Sequence, residues 1–346
     1  MAGRTAGGAA FSPDAFLPPA AVARITDVRI QRPQMVEEEA AARRRREQIA
    51  PDGRLVLLAA DHPARGVLRA GADPLAMGSR RALLARILRV LIGRADGVMA
   101  TPDILEELMI LQRLDKERGG PGFLDHKVLV GCMNRGGLHG SAFELDDRMT
   151  AFTPERIASL GLDGAKVMVR VDLSDPATLR TLEACARAVT ACHQRGLPVF
   201  LEVMMVARGR EGYHVVRTPE ALVTVVNIAT GLGASSARTW LKVPYCPQFE
   251  RVAEATTCPL LLLGGETRGA PGPLLEEVAA AMRAGPSVRG VLVGRSLTYP
   301  GPEDPYAAAE ALWAVVHEKA SVDEALARMA EARGRHMDRF AHLAAT

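Results

Sequence analysis

Short, continuous apolar segments recur along the chain and alternate with longer amphipathic stretches. Each segment is rich in Val, Leu and Met and lacks a regular alternation of polar and apolar positions. That pattern is typical of parallel strands that are buried on both faces of a sheet. It predicts eight strands, at residues 55–60, 97–100, 127–132, 165–171, 199–204, 239–243, 260–263 and 288–293.

The stretches between these strands carry the spacing of helices. Two clear examples are 176–194 and 273–284, each followed closely by a glycine, Gly196 and Gly285, and glycine is a common residue at helix ends. Eight strand-helix units in about 250 residues predict a single (β/α)8 TIM barrel of the α/β class. A doubly wound open sheet would show the same alternation and is the alternative fold.

Composition narrows the class of protein. The 346 residues are 48% hydrophobic and 24% charged, which favours a large core over disorder. A net charge of +3 is too small to indicate a nucleic-acid partner. The five cysteines have no CxxC spacing, which argues against a disulfide framework or a structural zinc site. With no leader and no apolar segment near 18 residues long, we expect a cytoplasmic protein without membrane contact.

The N-terminal 50 residues differ in character from the rest. Residues 1–24 are rich in Ala, Gly and Pro and predict a loose arm, and residues 27–49 predict an exposed helix. On that helix Glu39 and Arg43 are spaced as an (i, i+4) ion pair, although the arginine run that follows could also bind RNA or another anionic surface. We therefore expect two units, an N-terminal arm and helix at 1–50 and a barrel at 51–346.

Two lysines carry most of the chemical signal. Lysine occurs only at positions 116, 127, 166, 242 and 319. Lys166 and Lys242 interrupt predicted strands, where an ammonium group costs several kcal/mol unless it is paired or neutralised. Burial and a second cation lower the pKa of an amine, and the neutral amine can attack a carbonyl to form a Schiff base. Glu202, on the strand between them, could hold Lys166 and transfer protons. The alternative is a structural Lys166–Glu202 ion pair with Lys242 pointing outward.

A barrel binds its substrate at the carboxyl ends of its strands. Asp61 and His62 follow the first predicted strand, and Arg170 lies near the end of the fourth. Glycines at the ends of strands seven and eight let backbone N–H groups approach a phosphate. These candidate substrate-binding residues are Gly264, Gly265, Gly294 and Arg295. No metal-ligand spacing, Walker loop or dinucleotide fingerprint is present, so we expect neither metal nor cofactor.

Taken in order, these segments resemble the class I (Schiff-base) aldolases of the deoxyribose-phosphate, tagatose-bisphosphate and archaeal-type fructose-bisphosphate superfamily. TWLKVP at 239–244 is similar to the Schiff-base strand, LPVFLE at 197–202 to the acid/base strand, and AKVMV at 165–169 to a strand with an auxiliary lysine. The resemblance spans about residues 55–327. It departs from the pattern at Pro63, where several relatives have glycine, and at strand five, which lacks the acid/base tyrosine of archaeal aldolases.

The resemblance implies a metal-independent lyase. Lys242 would form the Schiff base, Glu202 and Lys166 would move protons, and Asp61 would orient a substrate hydroxyl or assist dehydration. The implied substrate is a phosphorylated ketose or keto-sugar acid that releases dihydroxyacetone phosphate. One candidate is 6-phospho-5-dehydro-2-deoxygluconate from inositol catabolism, although no residue selects it.

Two alternatives to this function remain open. The first is a deoxyribose-phosphate or autoinducer-type aldolase or thiolase that uses the same lysine; WAVVHE at 313–318 resembles the terminal helix of the autoinducer-processing members. The second is a sugar-phosphate-binding barrel without turnover. Retention of both lysines argues against the second, because a site for phosphate alone gains more from arginine. We also expect a homo-oligomer.

Overall fold

The structure is a computed structural model that describes residues 11–210, 212–266 and 269–344. Eight parallel strands close into a barrel through β1–β9 and β4–β5 pairing, which confirms the (β/α)8 prediction and excludes the open sheet. A helix or helices follow each barrel strand. The described strands are β1 Leu55–Ala59, β2 Gly97–Ala100, β3 Val128–Cys132, β4 Gly164–Val171, β5 Val199–Gly209, β6 Gly212–Val215, β7 Thr239–Val243, β8 Leu260–Leu262 and β9 Val288–Val293.

Thirteen α-helices are found within the described ranges. Three of them begin at Pro after a residue whose side chain caps the helix, as at Thr153, Thr218 and Asp304, because proline at the first helical position gives up an N–H that has no partner there. The helices are α1 Pro13–Phe16, α2 Pro19–Gln31, α3 Met35–Ala42, α4 Arg80–Leu91, α5 Pro102–Glu117, α6 Pro154–Ser159, α7 Ala177–Gln194, α8 Pro219–Thr230, α9 Phe249–Glu254, α10 Gly272–Ala284, α11 Arg295–Thr298, α12 Pro305–His317 and α13 Val322–Ala332.

Two apolar layers, one on each face of the barrel, explain why the strand sequences are apolar at successive positions. In β4 the side chains of Val167 and Val169 pack outward against the helices, while Lys166 and Arg170 point to the inside of the barrel, as expected for a period of two. The floor of the interior is a separate apolar cluster that includes Leu57, Met99, Val130, Phe200 and Leu292. Charged residues in β4, β5 and β7 therefore lie above this floor, at the carboxyl end of the barrel.

The predicted exposed helix at 27–49 is wrong. The chain forms α2 and α3, separated at Pro33, and α3 ends at Ala42. Glu39 is buried and pairs with Lys116, and Arg43 is buried against Asp163, so the predicted Glu39–Arg43 pair does not form. The periodicity of 27–49 gave no sign that these charges have partners far away in the sequence.

The predicted loose arm is also wrong over residues 13–16 and 19–24, which lie in α1 and α2. Residues 1–10 lie outside the described part of the chain. Helix α1 packs on α4, and helices α2 and α3 pack on α5. The domain boundary at residue 50 stays a prediction.

The sequence also missed the hairpin of β5 and β6. Strand β5 continues past Met204 to Gly209 and pairs antiparallel with β6, which brings Val206 opposite Val215. Polar and charged residues at 207–214 interrupt the apolar pattern, because this part of the strand stands above the barrel rather than inside it. The hairpin borders the mouth of the barrel on one side.

Candidate active site

Lys166, Glu202 and Lys242 form a linear charged cluster across three adjacent strands. Glu202 on β5 is the register partner of Lys242 on β7. Its carboxylate lies between the two amines, with Oε2 2.6 Å from Lys166 Nζ and Oε1 2.8 Å from Lys242 Nζ. The side chain of Lys166 is fully buried, and that of Lys242 is 5% exposed. Lys242 therefore points into the barrel, and the alternative in which it faces outward is wrong.

Electrostatics in this cluster favour a reactive amine. Burial, helped by the charge of Lys166 and opposed by the charge of Glu202, lowers the pKa of Lys242 to about 8. Burial also lowers the pKa of Lys166. For Glu202, burial alone would raise the pKa, but the charges of Lys166 and Lys242 outweigh it and hold the pKa well below 4.5. The carboxylate is therefore ionised, and Lys242 can lose its proton near neutral pH.

Asp61 joins this cluster from the end of β1. Its Oδ2 atom is 3.0 Å from Lys166 Nζ, pairs with the Arg135 guanidinium and lies 3.0 Å from Cys132 Sγ. The thiol of Cys132 is buried, and burial raises its pKa to about 11, so it stays protonated. Lys166 thus bridges two carboxylates, those of Asp61 and Glu202. Asp61, Lys166 and Glu202 therefore form one continuous charged network.

His62 lies at the same end of the barrel as Asp61 but does not join the charged cluster. Its Nδ1 atom is 3.8 Å from Asp61 Oδ1, too long for a hydrogen bond. Burial, helped by the charges of Arg295 and Lys242, lowers the pKa of His62 to about 3, so the ring is neutral. A Cβ at Gly294 would overlap this ring. Glycine at 294 is thus what lets His62 lie against the end of β9.

A cavity of about 280 Å³ opens above the cluster at the carboxyl ends of the strands. All the predicted site residues line it except Lys166, which lies beneath its floor. The cavity carries one chemically distinct wall, formed by the apolar side chains Met168, Met204, Val206, Val215 and Leu263 together with Tyr213. The predicted residues on the remaining surface are Asp61, His62, Arg170, Glu202, Lys242, Gly264, Gly265, Gly294 and Arg295.

The predicted phosphate-binding ends lie together, as the sequence suggested. Gly265 has a φ of +63°, which favours glycine. The Ser296 hydroxyl donates a hydrogen bond to the Gly264 carbonyl. A Cβ at position 264 would lie only 2.8 Å from that hydroxyl oxygen, so the close contact requires glycine. Arg295 follows β9 and reaches the Arg69 carbonyl at 3.3 Å and Glu266 at 3.5 Å. Whether this surface binds phosphate stays a prediction at this point.

Arg170 lines the cavity, but its guanidinium is already engaged. It pairs with Glu144 Oε1 at 2.5 Å and also donates to the Gly137 carbonyl at 3.3 Å. Arg65 makes similar contacts, to Asp147 at 2.7 Å and to the Asn134 carbonyl at 3.1 Å. These two arginines hold the loop between β3 and α6 against the mouth of the barrel, so the structure gives Arg170 a structural role in addition to its place at the cavity.

Sequence reasoning left several lining residues out of the proposed site. Arg135 follows the third predicted strand, but nothing in the sequence indicated its pairing with Asp61. Arg65, four residues after Asp61, gave no signal of its own. Arg217 and Tyr213 were hidden because the β5–β6 hairpin was not predicted. Each of these side chains lines the cavity.

Within the described ranges, no three His, Cys, Asp or Glu side chains converge to hold a metal ion. No helix in the same ranges is long and apolar enough to cross a membrane. The expectations of a cofactor-free, cytoplasmic protein and of a homo-oligomer stay predictions.

Comparison with known proteins places this site in context. The Cgl0159-like family matches residues 53–313. The crystal structure of Cgl0159 from Corynebacterium glutamicum is 40% identical, has a TM-score of 0.81, and covers 88% of this chain and 99% of its own.

More distant matches include two enzymes. A 2-amino-3,7-dideoxy-D-threo-hept-6-ulosonate synthase from Archaeoglobus fulgidus is 26% identical over 181 residues, which span 52% of this chain and only 63% of that protein. An archaeal fructose 1,6-bisphosphate aldolase is 20% identical, with a TM-score of 0.52 over 82% of this chain and 99% of its own. Such low identity shows a shared fold alone. The shared barrel agrees with the fold that the resemblance to class I aldolases implied.

Proposed function

The chain belongs to the Cgl0159-like family, and on that premise we propose that it is a class I aldolase whose Schiff-base lysine is Lys242. The observation that carries this proposal is the placement of Lys242 at the floor of the cavity, with a pKa lowered to about 8 and a carboxylate 2.8 Å away. A buried amine with these properties meets the requirements of a carbonyl nucleophile. Aldolase-like relatives support a lyase of this kind.

The first half of the reaction forms the Schiff base. The neutral amine of Lys242 attacks the carbonyl carbon of a ketose, and the carbinolamine then loses water to give a protonated imine. In this mechanism Asp61, paired with Lys166 and Arg135, orients a substrate hydroxyl or assists dehydration, and the ammonium group of Lys166 supplies the proton with which the hydroxyl leaves as water. Water is released, and the positive charge on the imine makes it an electron sink.

The second half breaks the carbon-carbon bond. Glu202 takes the proton of the hydroxyl on the carbon that becomes the aldehyde, and the bonding electrons move to the imine to give an enamine. Lys166, 2.6 Å from Glu202, stabilises the carboxylate and relays the proton. Protonation of the enamine and addition of water to the imine then release the ketone and regenerate Lys242.

The phosphate of the substrate belongs, in this proposal, at the ends of β8 and β9. Gly264, Gly265, Gly294 and Arg295 lie on one side of the cavity, where backbone N–H groups and a guanidinium suit a dianion. His62 and Arg170 complete the cationic and polar lining toward the sugar. The released ketone is then dihydroxyacetone phosphate, and 6-phospho-5-dehydro-2-deoxygluconate is one substrate to test.

Borohydride reduction in the presence of dihydroxyacetone phosphate, followed by peptide mass mapping, tests the proposal directly. We expect a reduced adduct on Lys242, because reduction traps the imine as a stable secondary amine. The exposed Lys319 serves as an internal control in the same digest. If folded protein forms an adduct on neither lysine, the result would contradict a Schiff base with dihydroxyacetone phosphate. An adduct on both lysines would indicate a nonspecific reaction.

Cleavage assays separate the related functions. Release of dihydroxyacetone phosphate from 6-phospho-5-dehydro-2-deoxygluconate supports the proposed reaction, and turnover of deoxyribose 5-phosphate supports the deoxyribose-phosphate alternative. A dideoxyheptulosonate belongs in the same screen because of the Archaeoglobus relative. A barrel that binds phosphate but neither forms the adduct nor cleaves any of these compounds would support the non-catalytic alternative.

A further inference from the structure

Arg217 lies at the cavity although it belongs to neither a barrel strand nor a strand-end glycine motif. It follows β6 where the hairpin returns to α8, and its side chain lines the cavity together with Gly265 and Arg295. A Cβ built on Gly265 would lie 2.9 Å from Arg217 Nη2. The guanidinium therefore lies directly against Gly265, which follows β8 and has a left-handed backbone conformation. A side chain at position 265 would occupy the space that the guanidinium fills.

The two guanidinium groups at this edge have unused donors. Among the described residues, no hydrogen bond or ion pair engages Arg217. Arg295 has only long contacts, to the Arg69 carbonyl and to Glu266, and its buried Nε atom has no partner. A buried donor without an acceptor is costly. Only Arg295 carries such a buried donor, because Arg217 is exposed and its donors face solvent at the cavity edge. Together, the two cations beside a glycine-rich backbone match the charge and geometry of a phosphoryl group.

We propose that Arg217 is a specificity-determining residue that holds the substrate phosphate together with Arg295 and so selects phosphorylated over unphosphorylated ketoses. This inference rests on the proposed function, because it assigns the phosphate of that substrate. The hairpin of β5 and β6 thereby has a purpose in the site: it carries a cation to the strand ends from outside the barrel. Glu266, which is 76% exposed, is the neighbouring carboxylate that the phosphate replaces as the partner of Arg295.

Calorimetric titration with inorganic phosphate tests the inference without any turnover. Arg217→Gln removes one charge-assisted contact, and we expect phosphate binding to weaken by about 10-fold or more. Arg208→Gln is the matched control, since Arg208 is an exposed arginine of the same hairpin that does not line the cavity. We expect it to bind phosphate as the wild type does. Equal affinity of the Arg217 variant and the wild type would overturn the inference, and so would equal weakening in both variants.

Borohydride trapping then separates this inference from the proposed function. In Arg217→Gln, the concentration of dihydroxyacetone phosphate that gives half-maximal trapping should rise about 10-fold or more, whereas that of unphosphorylated dihydroxyacetone should not change. An increase for both compounds would assign Arg217 to general folding of the site and overturn the inference. If the wild type forms no adduct while Arg217→Gln still weakens phosphate binding, the proposed function fails and the phosphate contact stands.

Discussion

Ion pairs hold both ends of the barrel, and one cluster at each end differs from the other in its cations. At the amino ends of the strands, the segment after α3 crosses the barrel as a strap whose four arginines each pair with an aspartate that precedes a strand. These pairs are Arg43 and Arg45 with Asp163, Arg44 with Asp125, and Arg46 with Asp96. At the carboxyl ends, Lys166 and Lys242 flank Glu202.

The choice of cation determines what each end can do. A guanidinium keeps its charge at any pH a protein meets, so an arginine-aspartate pair is a fixed cross-link. An ammonium group in the same surroundings can lose its proton, as the lowered pKa of Lys242 shows. The strap therefore contributes stability, and the lysine cluster exchanges some stability for reactivity. Substitutions at each end should separate the two effects.

Lys242→Met should have the largest effect, and that effect should fall on activity alone. Removing the nucleophile should lower kcat by at least about 10⁴-fold and abolish the borohydride adduct. The free energy of unfolding should fall little or rise, because a buried cation is replaced by an apolar side chain of similar length while Glu202 keeps Lys166 as its partner. Steady-state assays and urea denaturation measure both quantities. A variant that keeps its adduct on another lysine would place the Schiff base elsewhere.

Asp163→Ala should show the converse result at the other end of the barrel. It leaves the fully buried Arg43 without its carboxylate, and breaking a buried pair in this way costs about 3–5 kcal/mol of unfolding free energy. Activity per folded molecule should not change.

The control for that variant is Glu183→Ala, which breaks an exposed (i, i+4) pair with Arg187 and should cost about 0.5 kcal/mol or less. Similar losses in the two variants would mean that the strap is no more important than a surface pair.

The barrel was predictable because its signal is local and repeated. Strand segments such as 97–100 and 239–243 are short and largely apolar, and their predicted bounds agree with the structure. The N-terminal strap was not predictable, because Arg43 and Asp163 are 120 residues apart and their burial depends on how the closed barrel presents its lower end. In sequence alone, a run of arginines is typical of an exposed surface, because nothing in it indicates the distant aspartates with which the arginines pair.

The site was predictable to the extent that it lies on strands. Lys166, Glu202 and Lys242 stood out because charge is rare inside parallel strands, and the structure brings all three together. Arg217 gave no such signal, since it lies in a polar segment after a hairpin that interrupts the apolar pattern. For Arg170, the sequence predicted the position in β4 but not the ion pair with Glu144. That pair depends on the conformation of the loop between β3 and α6, which the sequence did not indicate.

Lys166→Met should have a smaller effect, seen in the pH dependence of activity. In the wild type, kcat/KM should rise with pH through about 8 as Lys242 loses its proton. Lys166 is one of the charges that lower the pKa of Lys242, so its removal should raise that pKa and move the profile to higher pH. Lys319→Met, at an exposed position, should leave the profile unchanged. An unshifted profile in Lys166→Met would show that the two amines are not coupled.

His317 offers the smallest and most specific test, because it is a titratable cation that shares Asp96 with the arginine strap. Its ring lies 2.7 Å from Asp52 and 2.9 Å from Asp96, and it stacks on Trp313. Burial opposes its charge, but the bonds to Asp96 and Asp52 outweigh burial and raise the pKa of His317. A raised pKa in the folded state means that the protonated ring stabilises the fold. This contribution is complete below the unfolded pKa of about 6.5 and is lost as pH rises through the folded value.

His317→Gln should therefore lower the free energy of unfolding most at acidic pH, and its difference from the wild type should shrink as pH rises from about 6 toward 9. Urea denaturation across that range measures the difference, with His214→Gln on the exposed strand β6 as the control. A constant difference between His317→Gln and the wild type would mean that packing on Trp313, and not charge, is what His317 contributes. In that case the arginine end would hold no titrating cation among these pairs, and the contrast with the lysine end would become sharper.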